Sequence, residues 1–157
     1  MDTLVERKSE RELVVTRTLN GPPRIVFEAW TKPELFKQWW VPKSMGMSLL
    51  SCEIDARAGG GYHLVFGHDG AVIFEAYGKY LEVTPPSRLV WTNDEGEAGP
   101  VTTVTFEEQA GNTLLVVHDL YPSKEALDEA IASEATSWNS ETFEQLDELL
   151  VALGASV

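Results

Sequence analysis

The sequence predicts an α+β domain in which a curved antiparallel sheet of about seven strands closes over a long C-terminal helix, with two short helices after the first strand. Three observations predict it. The middle of the chain is a series of β-branched and aromatic runs joined by direct turns, too close together for crossover helices, so the strands must pair antiparallel. Two proline-opened segments follow the first strand-like run. The last part of the chain repeats apolar residues at spacings of three and four, which is the period of a helix with one buried stripe.

In chain order, residues 1–10 read as a flexible arm and 11–154 as one domain. The run ELVVTRTL from Glu12 is a first strand, stopped by Asn20-Gly21-Pro22-Pro23. A proline suits the first helical turn, where its missing N–H has no partner to lose, and Val26, Ala29 and Trp30 then share one helical face. Thr31 is the expected N-cap of a second short helix, with Pro33 in its first turn and Glu34 at the third position. That helix carries Leu35, Phe36, Trp39 and Trp40 and ends at Pro42.

Strands are expected at SLLSCEI (48–54), YHLVF (62–66), Ala71 to Val83, RLVWT (88–92), VTTVTFEEQ and TLLVVHDLY. The turn at His68-Asp69-Gly70 carries the Asp-Gly hairpin signal, and Gly78 is expected to mark a bulge or sharp bend. Pro85-Pro86, the polar stretch 93–100 and Ala110-Gly111-Asn112 separate the later strands. Ser123 is the expected cap of the final helix, whose stripe is Ile131, Ala135, Trp138, Thr142, Leu146, Leu149 and Leu153, with Gly154 as terminator.

Composition narrows the function. A chain of 157 residues, 43% hydrophobic and 10% aromatic, holds enough apolar mass for a core and is not a disordered segment. With 25 acidic against 12 basic residues the net charge is -13, a field that repels phosphate backbones and anionic lipid, so no nucleic-acid partner is expected. Cys52 is the only cysteine, so the chain has no internal disulfide and no cysteine cluster for zinc or iron–sulfur. The N-terminus lacks the apolar run of a signal peptide and no stretch matches a membrane helix, so no membrane insertion and a cytoplasmic location are expected.

The chain resembles the START-like, Bet v 1-like (SRPBCC) superfamily, and within it proteins similar to the C-terminal domain of the activator of heat-shock protein 90 ATPase. The matching pieces are FEAWTKPELFKQWW (27–40), DARAGGGYHLVF (55–66), AYGKYLEVTPPSRLVWT (76–92), VTTVTF (101–106) and SWNSETFEQLDELL (137–150). The resemblance implies the helix-grip fold and a cavity between the concave sheet and the C-terminal helix. It further implies binding of a hydrophobic small molecule there. The superfamily includes lipid carriers, hormone receptors and polyketide cyclases, so the alternatives are an enzyme of the cyclase or hydrolase type using that cavity and a protein-interaction module modulating a chaperone ATPase.

Under that reading the ligand-binding candidates are Trp40, Tyr62, Phe66, Phe74, Tyr77, Trp91, Trp138 and Phe143, each of which core packing also explains, and His118. In TLLVVHDLY both parities are apolar, so whether His118 or Asp119 faces inward stays open. His63 reads as solvent-facing, His68 as an exposed turn residue and Glu75 as outward. No catalytic residue is assigned, and neither a metal nor a cofactor is expected: no HExxH or clustered-histidine pattern occurs, and Gly59-Gly60-Gly61 lacks the phosphate-loop pattern. Cys52 reads as a small buried hydrophobe. Exposed strand edges would be easy dimer surfaces, which makes a homodimer a candidate assembly.

Overall fold

The computed structural model describes residues 4–41, 46–92, 100–132 and 138–155, with backbone only at 74, 138–140, 154 and 155. The elements are β1 (Leu4–Arg7), β2 (Glu12–Leu19), α1 (Pro23–Thr31), α2 (Pro33–Phe36), β3 (Ser48–Ile54), β4 (Gly61–His68), β5 (Ala71–Thr84), β6 (Arg88–Thr92), β7 (Val101–Gln109), β8 (Asn112–Leu120), α3 (Lys124–Ala132) and α4 (Trp138–Ala155). The eight strands make one antiparallel sheet in the order β1-β2-β8-β7-β6-β5-β4-β3. The eighth strand is β1, from the segment read as an arm. All four of its residues are exposed and it pairs with Leu13–Thr16 through the backbone ladder, so burial imposes no alternation for a pattern reading to detect.

Strict alternation on β2, β7 and β8 sets the concave face: Leu13, Val15, Arg17 and Leu19 point inward with Thr102, Val104 and Phe106 and with Thr113, Leu115 and Val117. Two hairpins close on two-residue turns with positive φ at both positions, Asp69 (51°) with Gly70 (81°) and Ala110 (51°) with Gly111 (88°). Gly78, expected at a bulge, is instead a regular ladder partner of Tyr62. On β5 register shifts fall at Ile73, against β4, and at Leu81, between the pairs Tyr80 with Trp91 and Glu82 with Val90. The shift at Leu81 reverses the side-chain parity, which leaves that residue exposed.

The helices fill the concavity. In α1 the buried set is Val26, Phe27, Ala29 and Trp30. Thr31 does not cap α2: α1 runs through it, and its hydroxyl donates to the Phe27 carbonyl at 2.9 Å inside the last turn of α1. Lys32 stands ahead of α2 with no side-chain cap, and α2 itself ends at Phe36. The expected stop at Pro42 and the loop 93–99 lie outside the described residues.

The single long helix expected from residue 124 is described as α3 and α4, with 133–137 (including Ala135) outside the described residues. Ser123 caps α3 as expected, its Oγ accepting from the Ala126 N–H at 3.1 Å. Ile131, the head of the expected stripe, is exposed; α3 instead buries Leu127 against Leu13 and Tyr121 in a small separate cluster. On α4 the buried face is wider than a stripe: Thr142, Phe143, Gln145, Leu146, Asp147 and Leu150. The polar members are hydrogen-bonded, as burial requires. Gln145 Nε2 donates to the carbonyls of Trp39 (3.1 Å) and Val41 (2.9 Å). Asp147 accepts from Arg17 at 2.6 and 2.9 Å and from the Asn20 N–H at 3.0 Å.

Candidate functional site

One end of the concave face carries a continuous row of side chains. Register places Leu13 beside Asp119, Asp119 beside Thr102, Thr102 beside Trp91 and Trp91 beside Tyr80. Tyr62 extends the row: its ring lies 6.1 Å from Tyr80 and 6.5 Å from Trp91, and its hydroxyl donates to the Thr92 carbonyl at 3.1 Å. It reaches there by crossing Gly78, where an added Cβ would lie 2.8 Å from the Tyr62 ring and collide with the Thr92 carbonyl oxygen. At the β3–β4 edge, where Tyr62 ends the row, lies an open depression of about 320 Å³ lined by Glu53, Ile54, Asp55, Gly61, Tyr62 and His63.

Above the row stands an aromatic cluster built by α1 and the segment after α2. Trp30 lies 4.8 Å from Trp39, 5.9 Å from Trp91, 6.0 Å from both Trp40 and Phe106, and 6.2 Å from Phe143, measured between ring centroids. Trp39 satisfies its ring N–H on the Ala29 carbonyl at 3.0 Å. Trp30 is 2% exposed and its Nε1–H has no acceptor among the described residues. A buried donor left open costs about 1–3 kcal/mol, which marks the position as one to be explained.

Asp119 is the inward residue of the pair the sequence left open. Thr102 Oγ1 donates to its Oδ1 at 2.5 Å. Burial pushes its carboxyl from the ordinary 3.8 up to about 6, against the hydrogen bond and the neighbouring His118, which pull it down. His118 projects from the opposite face, 3.7 Å from Glu12. Burial also holds the Tyr80 hydroxyl well above its usual range and pushes the thiol of the half-buried Cys52 to about 11, which keeps it in the less nucleophilic protonated form at neutral pH.

Of the candidates read from the sequence, Trp40, Tyr62, Phe66, Trp91 and Phe143 meet on the concave side; Phe66 and Phe143 are fully buried there, while Trp40 stacks on Phe36 at 4.7 Å and stays half-buried. Phe74 is the register partner of Phe66 and Trp138 opens α4, but their side chains lie outside the described residues. Tyr77 and His118 stand on the convex face; Tyr77 is 53% exposed and lies against His63, which in turn bonds Glu75 at 2.8 Å. His63, His68 and Glu75 are exposed. The sequence reading passed over Trp30, Tyr80 and Thr102. Tyr80 is found by counting even steps from Tyr62's partner, Gly78; Trp30 is indistinguishable in a pattern from any core ring. Among the described residues no group of three or more His, Cys, Asp and Glu could hold a metal ion, and no helix is long and apolar enough to cross a membrane.

The family model described as activator of Hsp90 ATPase homolog 1-like protein matches residues 20–151. No curated protein matches the chain. Among solved structures, a Rhodobacter sphaeroides protein is similar at TM-score 0.88 and 24% identity, over 97% of this chain and 99% of that one. A Nitrosomonas europaea protein is similar at TM-score 0.84 and 25% identity, over 95% and 99%. A Staphylococcus epidermidis protein is similar at TM-score 0.79 and 28% identity, over 94% and 93%.

Proposed function

The chain belongs to the family of activator of Hsp90 ATPase homolog 1-like proteins, and from that membership and the site above we propose that it binds a small apolar or aromatic molecule on the concave face, between the sheet and α4. The observation that carries the reading is Trp30. Its N–H is buried among five aromatic rings without an acceptor among the described residues, whereas two other buried donors of that neighbourhood, Trp39 Nε1 and Gln145 Nε2, are satisfied. A ligand that brings one acceptor and a flat apolar body would complete the hydrogen bond and add ring contact. Edge strands β1 and β3, with Leu4, Val5 and Leu50 exposed, support self-association as a homodimer of such a binder.

The test is native mass spectrometry of freshly purified protein, with extraction and identification of bound material, and a melting-temperature screen over lipids and aromatic metabolites. A stoichiometric apolar molecule, or a saturable rise in Tm with one class, is the expected result. An empty spectrum with no shift across the panel overturns the reading and moves weight to a protein-interaction module acting on a chaperone ATPase.

A further inference from the structure

The helices over the concave face are held to it unequally. In the main core α1 buries Val26, Phe27, Ala29 and Trp30, and α4 adds to Phe143, Leu146 and Leu150 the buried hydrogen bonds of Gln145 and Asp147. The third helix, α3, stands outside that core. Its buried side chain, Leu127, packs with Leu13 and Tyr121 in a separate small cluster edged by Ala126 and Ala130. Its ion pair to the sheet, Arg7–Asp128 at 2.7 Å, joins side chains that are 34% and 41% exposed, where water competes for both partners. The strand on the other side of that pair, β1, buries none of its residues. An element held by one buried side chain and a solvated ion pair opens locally at far lower cost than the core unfolds.

The place of α3 gives that opening a consequence. Leu13, beneath Leu127, is the register partner of Asp119, and the row runs on through Thr102 to Trp91, whose ring lies 5.9 Å from that of Trp30. Thr102, Trp91 and Tyr80 are packed at 9% exposure or less, so a molecule reaches the Trp30 ring only after part of the cover moves. Of the three longer helices, α3 loses the least by moving. We infer that α3 is a gate: it opens independently of the core, uncovers Leu13 and Tyr121, and admits the ligand at that end of the concave face. The inference rests on the small-molecule reading above and adds its route of entry. The independent opening of α3 is measurable with no ligand present, which keeps the two separable.

Hydrogen–deuterium exchange of the full chain, read by mass spectrometry, tests the opening. Amides of α3 are expected to exchange about 100-fold faster than those of α4 and β8; Leu127→Ala should speed α3 by roughly a further tenfold and leave α4 and β8 within about twofold, whereas Leu146→Ala, in the main core, should speed all three together. Exchange of α3 in step with α4, or a Leu127→Ala chain that fails to fold, would make α3 part of one cooperative unit and overturn the gate. Stopped-flow binding of Nile red, a neutral flat probe that carries a carbonyl acceptor, tests the route. Leu127→Ala should raise its association and dissociation rates together, by about threefold or more, with Kd unchanged within about twofold, because a gate alters passage and not the bound state. Faster exchange in α3 with unchanged binding rates would place entry elsewhere and overturn the route. Absence of saturable Nile red binding would overturn the route as well and, together with an empty ligand panel, the small-molecule reading; exchange then still decides whether α3 opens on its own.

Discussion

Asp119 shows how much a single position depends on the ladder around it. Leu114, Val116 and Leu120 share the parity of His118, and Leu115 and Val117 that of Asp119, so the sequence of β8 leaves its face open; pairing with Thr102 and Leu13 turns Asp119 inward. Its carboxyl titrates near 6 in the folded chain and near 3.8 when unfolded, so between those pH values the folded chain holds a proton the unfolded one has released. The group's contribution to stability therefore falls as pH rises through that window, by roughly 2–3 kcal/mol. Asp119→Asn removes the dependence: urea unfolding should show the variant gaining that amount on the wild type between pH 4 and pH 7.5. A constant difference across the window would mean that Asp119 is not desolvated in the folded chain. Gly78 is a second single-residue case. The glycine was legible as special, but its reason is the Tyr62 ring that crosses it, a contact no local pattern contains. Gly78→Ala forces the ring or the Thr92 carbonyl aside and should cost roughly 2–4 kcal/mol, read as a lower urea midpoint with unchanged slope.

At the scale of elements, most strands and α1 follow from alternation, turn residues and a proline in the first turn, because each of those signals is local. The C-terminal region is where locality fails. A three–four stripe describes a helix lying on one surface, whereas α4 is flanked by β2 on one side and by the chain after α2 on another, so polar Gln145 and Asp147 are buried along with Phe143 and Leu150. Arg17 and Asp147 join β2 to α4 at 2.6 Å with side chains 5% and 12% exposed. Breaking such a pair leaves a buried charge without its counter-ion, so Asp147→Leu should destabilise by about 3–5 kcal/mol, while adding Arg17→Met to it should recover most of the loss. Thermal or urea unfolding of the two single variants and the double closes the cycle. Equal losses in single and double variants would show that the pair itself, rather than its desolvation, holds α4 to the sheet.

For the molecule as a whole, the fold class was legible because the order of elements is written in turn and period signals, while the candidate site needed distant strands brought together: Asp119, Thr102, Trp91 and Tyr80 come from four strands and become neighbours only through register. Net charge was legible directly, and it leads to a prediction about the intact chain. The exposed ion pairs Arg7–Asp128, Lys124–Asp128 and Arg57–Asp55 each contribute little, because water competes for both partners, and salt weakens them further. Against them stands an excess of 13 negative charges whose mutual repulsion the compact state concentrates and the unfolded chain relieves. Screening therefore removes more repulsion than attraction. Raising NaCl from about 20 to 300 mM, which shortens the screening length from roughly 20 Å to 6 Å, should stabilise the fold by about 1–2 kcal/mol. For a domain of this size that is a rise in Tm of roughly 3–6 °C by calorimetry at pH 7.5. A fall in Tm over the same range would show that the surface pairs outweigh the field, and that the negative charge is arranged in local networks instead of acting as one diffuse excess.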